Sequence, residues 1–181
     1  AATSGTMRLK HPPSMPKADV GEAIGTLGFD KIHMVILTSS VFKAFTFKDA
    51  KKLNYDPAEL WKHSLGVAVS SATIAELTGL CQRQRAYSCG LVHDIGKVAR
   101  LHLHPEAFCS DVGDALYEEI SLFEAEQKNN SPTHDRVGQI VCKEWGLNRD
   151  VESVIQWHHE PDIIERGTVG ENELNNLSDL V

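Results

Sequence analysis

The first clear pattern in the chain is a helical repeat of apolar residues within 18–28. Apolar side chains recur there at steps of three and four residues, as Val20, Ala23, Ile24 and Leu27, before Gly28 ends the run. This spacing places an apolar stripe along one face of a helix. The next apolar segment predicts a second helix over about 30–45. Upstream, the proline-rich stretch 11–16 predicts a loop.

Capping residues set the bounds of the later helices. Asp56 is a suitable N-cap, Pro57 suits the first helical position, and Gly79 ends a helix that reaches about Thr78. We predict further helices over about 84–94, 98–102, 106–119, 121–128, 132–145, 149–159 and 173–180. Gly96 is expected to end the helix over 84–94. N-caps are expected at Ser121, with Glu124 completing a capping box, at Ser131, with Pro132 in the first helical position, and at Asn148.

Strand signals are missing from this pattern. No hairpin dipeptide stands between two alternating apolar runs, and no internal repeat has solenoid spacing. The fold class is therefore predicted to be all-α. We expect one helical domain over 18–181, preceded by an N-terminal remnant or loop over 1–17.

Composition and charge exclude several classes of protein. The 181 residues are 41% apolar and 24% charged, which is typical of a globular chain. The net charge of −7 argues against general nucleic-acid binding. No apolar stretch approaches the roughly 20 residues of a membrane span. The four cysteines form no Cys-x-x-Cys pair, so we expect reduced thiols and a cytoplasmic protein.

Histidines and carboxylates stand at positions that suit a metal site. Glu59 and His63 are four residues apart, so they share one face of a helix. His93 and Asp94 end an apolar run, where burial of two ionisable groups costs several kcal/mol unless they are paired or bound to metal. The other candidates are His134, in the first turn of a predicted helix, and His158 and His159, which close another.

Imidazole and carboxylate groups together are the ligand set of zinc, iron, manganese or nickel. Each residue also has an ordinary interpretation. A mid-helix histidine such as His63 suits a surface or a hydrogen-bonded core position, and capping explains Glu59. The joint arrangement favours a site, because facing helices of a bundle can direct several ligands inward.

Several blocks of residues resemble the HD superfamily of metal-dependent phosphohydrolases, and more closely its HDOD branch of bacterial signal-transduction proteins. The blocks occur in the expected order, as 23–28 (AIGTLG), 60–65 (LWKHSL), 90–97 (GLVHDIGK), 133–138 (THDRVG), 144–147 (EWGL) and 154–161 (VIQWHHEP). The resemblance covers about 19–181. It implies an HD-domain-like helical bundle.

The resemblance also implies roles for individual residues. In the related HD-GYP phosphodiesterases, matching positions hold two or three metal ions. Carried over, the metal ligands are Glu59, His63, His93, Asp94, His134, His158, His159 and, near the end of the chain, Asp179. Asp94 would bridge two divalent ions and Lys97 would contact substrate phosphate, which makes these two residues the candidate catalytic pair. Iron, manganese, nickel or zinc would suit a mononuclear or binuclear site of this kind.

Two departures from the pattern separate two hypotheses about function. The Gly-Tyr-Pro element of the phosphodiesterases is missing after Glu160, and only a remnant of the branch's N-terminal lobe fits into residues 1–18. The favoured hypothesis is a signalling module that binds a nucleotide or cyclic dinucleotide, a protein partner or an upstream sensory or receiver domain. The alternative is an active phosphohydrolase on a nucleotide or cyclic dinucleotide. The candidate cations for a phosphate ligand are Arg83, Arg85, Arg100, Arg136 and Arg149.

Overall fold

Helices account for all the regular structure in the described part of the computed structural model, which comprises residues 56–160, 179 and 181. Seven helices follow one another within 56–160. They are α1 (Pro57–Thr78), α2 (Arg83–Val92), α3 (Ile95–Leu103), α4 (Pro105–Glu118), α5 (Leu122–Lys128), α6 (His134–Glu144) and α7 (Arg149–Trp157). The all-α prediction is therefore confirmed. The helices predicted over 18–28 and 30–45, nearly all of the one over 173–180, and the loop or remnant over 1–17 lie outside the described residues.

Local capping explains the bounds of α1. The Asp56 side chain accepts a hydrogen bond from the backbone amide of Ala58 at 2.9 Å, and Pro57 occupies the first helical position. At the other end, Gly79 takes φ 70°, and its amide donates to the carbonyl of Ala75. The capping box of Ser121 with Glu124 is likewise present at the start of α5.

The predicted start of α6 is wrong by two residues. Thr133, rather than Ser131, precedes the first helical residue, and its backbone is extended. The Ser131 hydroxyl donates instead to Asp111 Oδ1 at 3.1 Å, and the first helical amide, of His134, donates to the buried Glu126 carboxylate at 2.9 Å. A carboxylate distant in sequence therefore replaces the local cap.

Gly96 does not end a helix but lies inside α3. A Cβ atom at this position would stand 1.8 Å from the carbonyl oxygen of His134 and 2.7 Å from the amide nitrogen of Gly138. Glycine is needed because the backbones of α3 and α6 come into direct contact there. The break in the helical run falls earlier, between Val92 and Ile95, so that His93 and Asp94 occupy a turn that faces α6.

The core of the described part lies where α2 packs along α1, α3 crosses α6, and α7 contacts both α2 and α6. Its members include Leu60, Ala86, Cys89, Ile95, Val98, Cys142, Val154 and Ile155. None of the four cysteines, all of which lie in the described part, forms a disulfide. Among the described helices, none combines the length and apolar character that crossing a bilayer requires.

Candidate metal centre

Asp94 lies at the centre of a group of histidines that come from separate helices and turns. Its side chain is fully buried. Oδ2 stands 3.3 Å from His63 Nε2 and 3.2 Å from His93 Nε2. Oδ1 stands 3.4 Å from His134 Nε2 and 3.6 Å from His158 Nε2. Each carboxylate oxygen therefore faces a different pair of imidazoles.

Two sets of side chains in the described part have the spacing of a metal site. The first consists of His63, His93 and Asp94, and the second of Asp94, His134, His158 and His159. Within each set, the potential ligand atoms all lie within 4.8 Å of one another. The fold thus brings together six of the eight proposed ligands. Asp94 is the residue that both sets share.

Hydrogen bonds at Nδ1 orient three of the imidazoles. The Nδ1–H of His93 donates to the carbonyl oxygen of Gly90 (2.7 Å). That of His134 donates to Glu126 Oε2 (2.7 Å), and that of His158 to the carbonyl oxygen of Val154 (3.1 Å). In a neutral ring this leaves Nε2 without a proton, and these Nε2 atoms face Asp94. Metal-binding histidines usually have this arrangement, in which a second hydrogen bond sets the tautomer.

Two buried polar atoms of the cluster support the fit of a cation. Within the described residues, Asp94 Oδ1 and His158 Nε2 have no hydrogen-bond partner. Unpaired buried polar groups are rare in folded proteins because each costs about 1–3 kcal/mol. A carboxylate oxygen and an unprotonated imidazole nitrogen are both ligands that a divalent ion accepts.

Burial sets the protonation of the cluster. Burial lowers the pKa of His134, and burial together with the neighbouring His158 and His134 lowers the pKa of His159 to about 3. Burial alone would raise the pKa of Asp94, but its electrostatic interaction with His93 and the close approach of the surrounding imidazoles hold it well below its usual range. At neutral pH, His134 and His159 are therefore unprotonated and Asp94 is ionised, as metal ligands must be.

Lys97 lies beside the same carboxylate. Its Nζ is 2.7 Å from Asp94 Oδ2, and only 15% of its side chain is exposed. A cavity of about 330 Å³ opens next to Lys97 and His63, and the other described residues that line it are apolar. A second cleft of about 580 Å³ lies near the other histidine set, where Phe123, whose ring stacks on His159, and Arg136 line it.

A buried ionic network behind His134 was missed at the level of sequence. Arg100 donates to Glu126 Oε1 and, at 2.6 Å, to Asp111 Oδ2. All three side chains are buried. Arg100 had been a candidate phosphate contact, but it is engaged here by two carboxylates. No local motif marks these residues, because the pairing joins positions 26 residues apart.

Two proposed ligands belong to neither set. Glu59 is exposed and pairs with Lys62 at 2.6 Å, and Asp179 is exposed and belongs to neither set. Of the candidate cations, Arg136 lines the larger cleft. Arg85 binds Asp150 through two hydrogen bonds of 2.7 Å, and Arg83 pairs with Glu76 at 3.2 Å.

Comparison with known proteins agrees with this geometry. Residues 14–161 match the model of the HDOD domain family. The fold is similar to the crystal structure of an HDOD domain protein with unknown function from Geobacter sulfurreducens, with a TM-score of 0.75 and 27% identity over 91% of this chain and 54% of that one. A "Putative phosphohydrolase" from Shewanella amazonensis has the same fold, with a TM-score of 0.70 and 19% identity over 89% and 56% of the two chains.

Sequence comparison adds an uncharacterized protein of Treponema pallidum, 21% identical over 153 residues, which are 78% of this chain and 27% of that protein. The chain thus spans about half the length of the solved relatives and about a quarter of the Treponema protein.

Proposed function

The chain belongs to the HDOD domain family, and we propose that its His/Asp cluster is a binuclear metal centre that hydrolyses a phosphate ester. One observation carries this proposal. The two oxygens of Asp94 face two different pairs of imidazoles, as a carboxylate does when it bridges adjacent ions.

The charge of the cluster favours an anionic ligand. Five neutral imidazoles and one carboxylate would surround two divalent ions, so four positive charges would meet a single negative charge from Asp94. Lys97 adds a further cation at the same carboxylate. A phosphate group is the natural counter-charge for such a site. The histidine-rich ligand set suits iron, manganese, nickel or zinc.

Different residues of the chain would have different roles in hydrolysis. Asp94 holds the two sets of imidazoles around a common carboxylate, and the Nδ1 hydrogen bonds keep each Nε2 directed inward. When bound, divalent ions would lower the pKa of water and offset the charge of the phosphate group. Lys97 would stabilise the negative charge that develops on the phosphate oxygens. Water adds to phosphorus, the P–O bond to the leaving group breaks, and the proton goes to the departing alcohol.

A second candidate function is a signalling module that binds a phosphate ligand, such as a nucleotide or cyclic dinucleotide, or a protein partner without turnover. The exposure of Glu59 and Asp179 favours it, because neither of these additional carboxylates belongs to the two sets. The missing Gly-Tyr-Pro element points the same way. In this role the module would report to an upstream sensory or receiver domain. We propose a cytoplasmic setting for either function, which four cysteines without a disulfide support.

Elemental analysis of protein purified without chelator tests the proposal, beside the variants His93→Ala and Asp94→Ala. We expect about two transition-metal ions per chain, lost in Asp94→Ala, together with turnover in a screen of phosphate monoesters and diesters. Metal without turnover would support the second candidate. A ratio near zero that persists after metal is added would rule out the metal centre, and the histidines would then be hydrogen-bonded core residues.

A further inference from the structure

The cavity beside Lys97 has a strongly uneven lining. Nine of the described residues line its volume of about 330 Å³, and seven of them are apolar, among them Leu60, Phe108, Val112, Leu116 and Ile120. The other two are Lys97 and His63. Within the described residues, the lining is therefore apolar except where the cavity meets the candidate metal centre.

The polar end of the cavity suits a phosphate group. Lys97 Nζ stands 2.7 Å from Asp94 Oδ2, and His63 Nε2 stands 3.3 Å from the same oxygen. One end of a ligand in the cavity would thus contact Lys97 and lie beside the set of His63, His93 and Asp94. An anion at that end would be complementary in charge.

The apolar end is poorly suited to a polar organic group. None of the nine described lining residues carries a carboxylate, an amide or a hydroxyl group. A sugar or nucleobase there would exchange its hydrogen bonds with water for apolar contacts, which is unfavourable. The larger cleft has the opposite character, because Gln127, Asp135 and Arg136 are among its lining residues. The described linings of the cavity and the cleft therefore suit ligands of different polarity.

We propose that the ester hydrolysed at this centre has a compact apolar organic group, a short alkyl chain or a single aryl ring, which binds in the cavity beside Lys97. This inference rests on the proposed function and specifies its substrate class. Phe108 provides a rigid floor, because its side chain is 1% exposed and the Arg100 guanidinium lies 5.6 Å from its ring centre. Leu116 is 77% exposed and stands at the rim.

Calorimetric titration of the full chain with its metal tests the substrate class. The probes are methylphosphonate, hexylphosphonate and adenosine monophosphate, and the first two cannot be hydrolysed because carbon is bonded directly to phosphorus. We expect hexylphosphonate to bind about tenfold or more tightly than methylphosphonate, because its methylene groups leave water. Leu116→Asn should remove most of that advantage and leave methylphosphonate binding within about twofold. Leu103→Asn is the matched control, since Leu103 is 68% exposed and lies outside this cavity, and it should change neither affinity.

The possible failures are distinguishable. Equal affinity for the two phosphonates would overturn the apolar substrate class and leave the phosphate site standing. Tighter binding of adenosine monophosphate that is lost in Arg136→Ala would also overturn it, because the organic group would then occupy the larger cleft. If the metal-loaded protein bound no phosphonate at all, the proposed function would fail together with this inference.

Discussion

Glu126 binds His134 twice through a single oxygen. Its Oε2 accepts the backbone amide of His134 at 2.9 Å and the ring Nδ1–H at 2.7 Å. Its other oxygen is held by Arg100, and all these groups are buried. One carboxylate therefore both caps α6 and sets the tautomer of a candidate metal ligand. The start of that helix and the orientation of the ring cannot change independently.

Replacing Glu126 should weaken metal binding without unfolding the chain. Glu126→Gln keeps the shape of the side chain but removes the charge that holds the Nδ1 proton of His134. We expect metal affinity to fall about 10- to 100-fold, measured by competition with a chromophoric chelator. Glu124→Gln is the control on the same helix. Glu124 is exposed in the capping box, which glutamine can also complete, so that variant should keep both its fold and its metal affinity. Equal affinity in Glu126→Gln would contradict the role given to this carboxylate.

Measuring the metal content of variants shows which carboxylates bind metal. Asp94→Asn should reduce the metal content from about two ions per chain to near zero, because the charged ligand common to both sets is lost. Glu59→Gln and Asp179→Asn should leave the metal content unchanged, since both side chains are exposed and belong to neither set. Plasma emission spectrometry measures the ratio. Loss of one ion per chain in Glu59→Gln would contradict this prediction and show that Glu59 is a metal ligand.

Gly96→Ala should destabilise the protein strongly. The added Cβ would stand 1.8 Å from the carbonyl oxygen of His134, so α3 and α6 would have to separate. We expect the free energy of unfolding to fall by about 3 kcal/mol, measured by urea denaturation. The matched control is Gly113→Ala in α4, where no atom lies within 4 Å of the new Cβ. That variant should gain about 0.5–1 kcal/mol. Similar stabilities in the two variants would refute the close contact between the helices.

The metal-free protein should lose stability in acid. The ordinary pKa of histidine is 6.5, and the folded state lowers it for His134 and, to about 3, for His159. Between these values the unfolded chain binds more protons than the folded one, so stability falls as pH falls below 6.5, by up to about 1.4 kcal/mol per pH unit for each proton. The lowered pKa of Asp94 extends the loss below 3.8. Urea titrations of chelator-treated protein at several pH values measure the slope, which His159→Gln should reduce. A stability independent of pH between 7 and 4 would contradict the lowered values.

The sequence by itself determined the features that depend on neighbours along the chain. Asp56, Pro57 and Gly79 bound α1 as predicted, because capping joins residues only a few positions apart. The blocks around His63, His93 and His134 identified the family for the same reason, since each is a short motif in a fixed order. The boundary predictions were wrong where a distant group intervened, at Ser131 and at Gly96.

Tertiary structure alone decided which of these residues meet. Nothing local to Asp94 directs one oxygen to His63 and the other to His134, or separates Glu59 from both. The approach of Asp94 to His134 follows from the contact of α3 with α6, which requires that Gly96 have no side chain. In the sequence, Gly96 looks like a helix end and Ser131 looks like an N-cap. Their actual roles depend on the backbone or the charged group that another part of the chain packs against them.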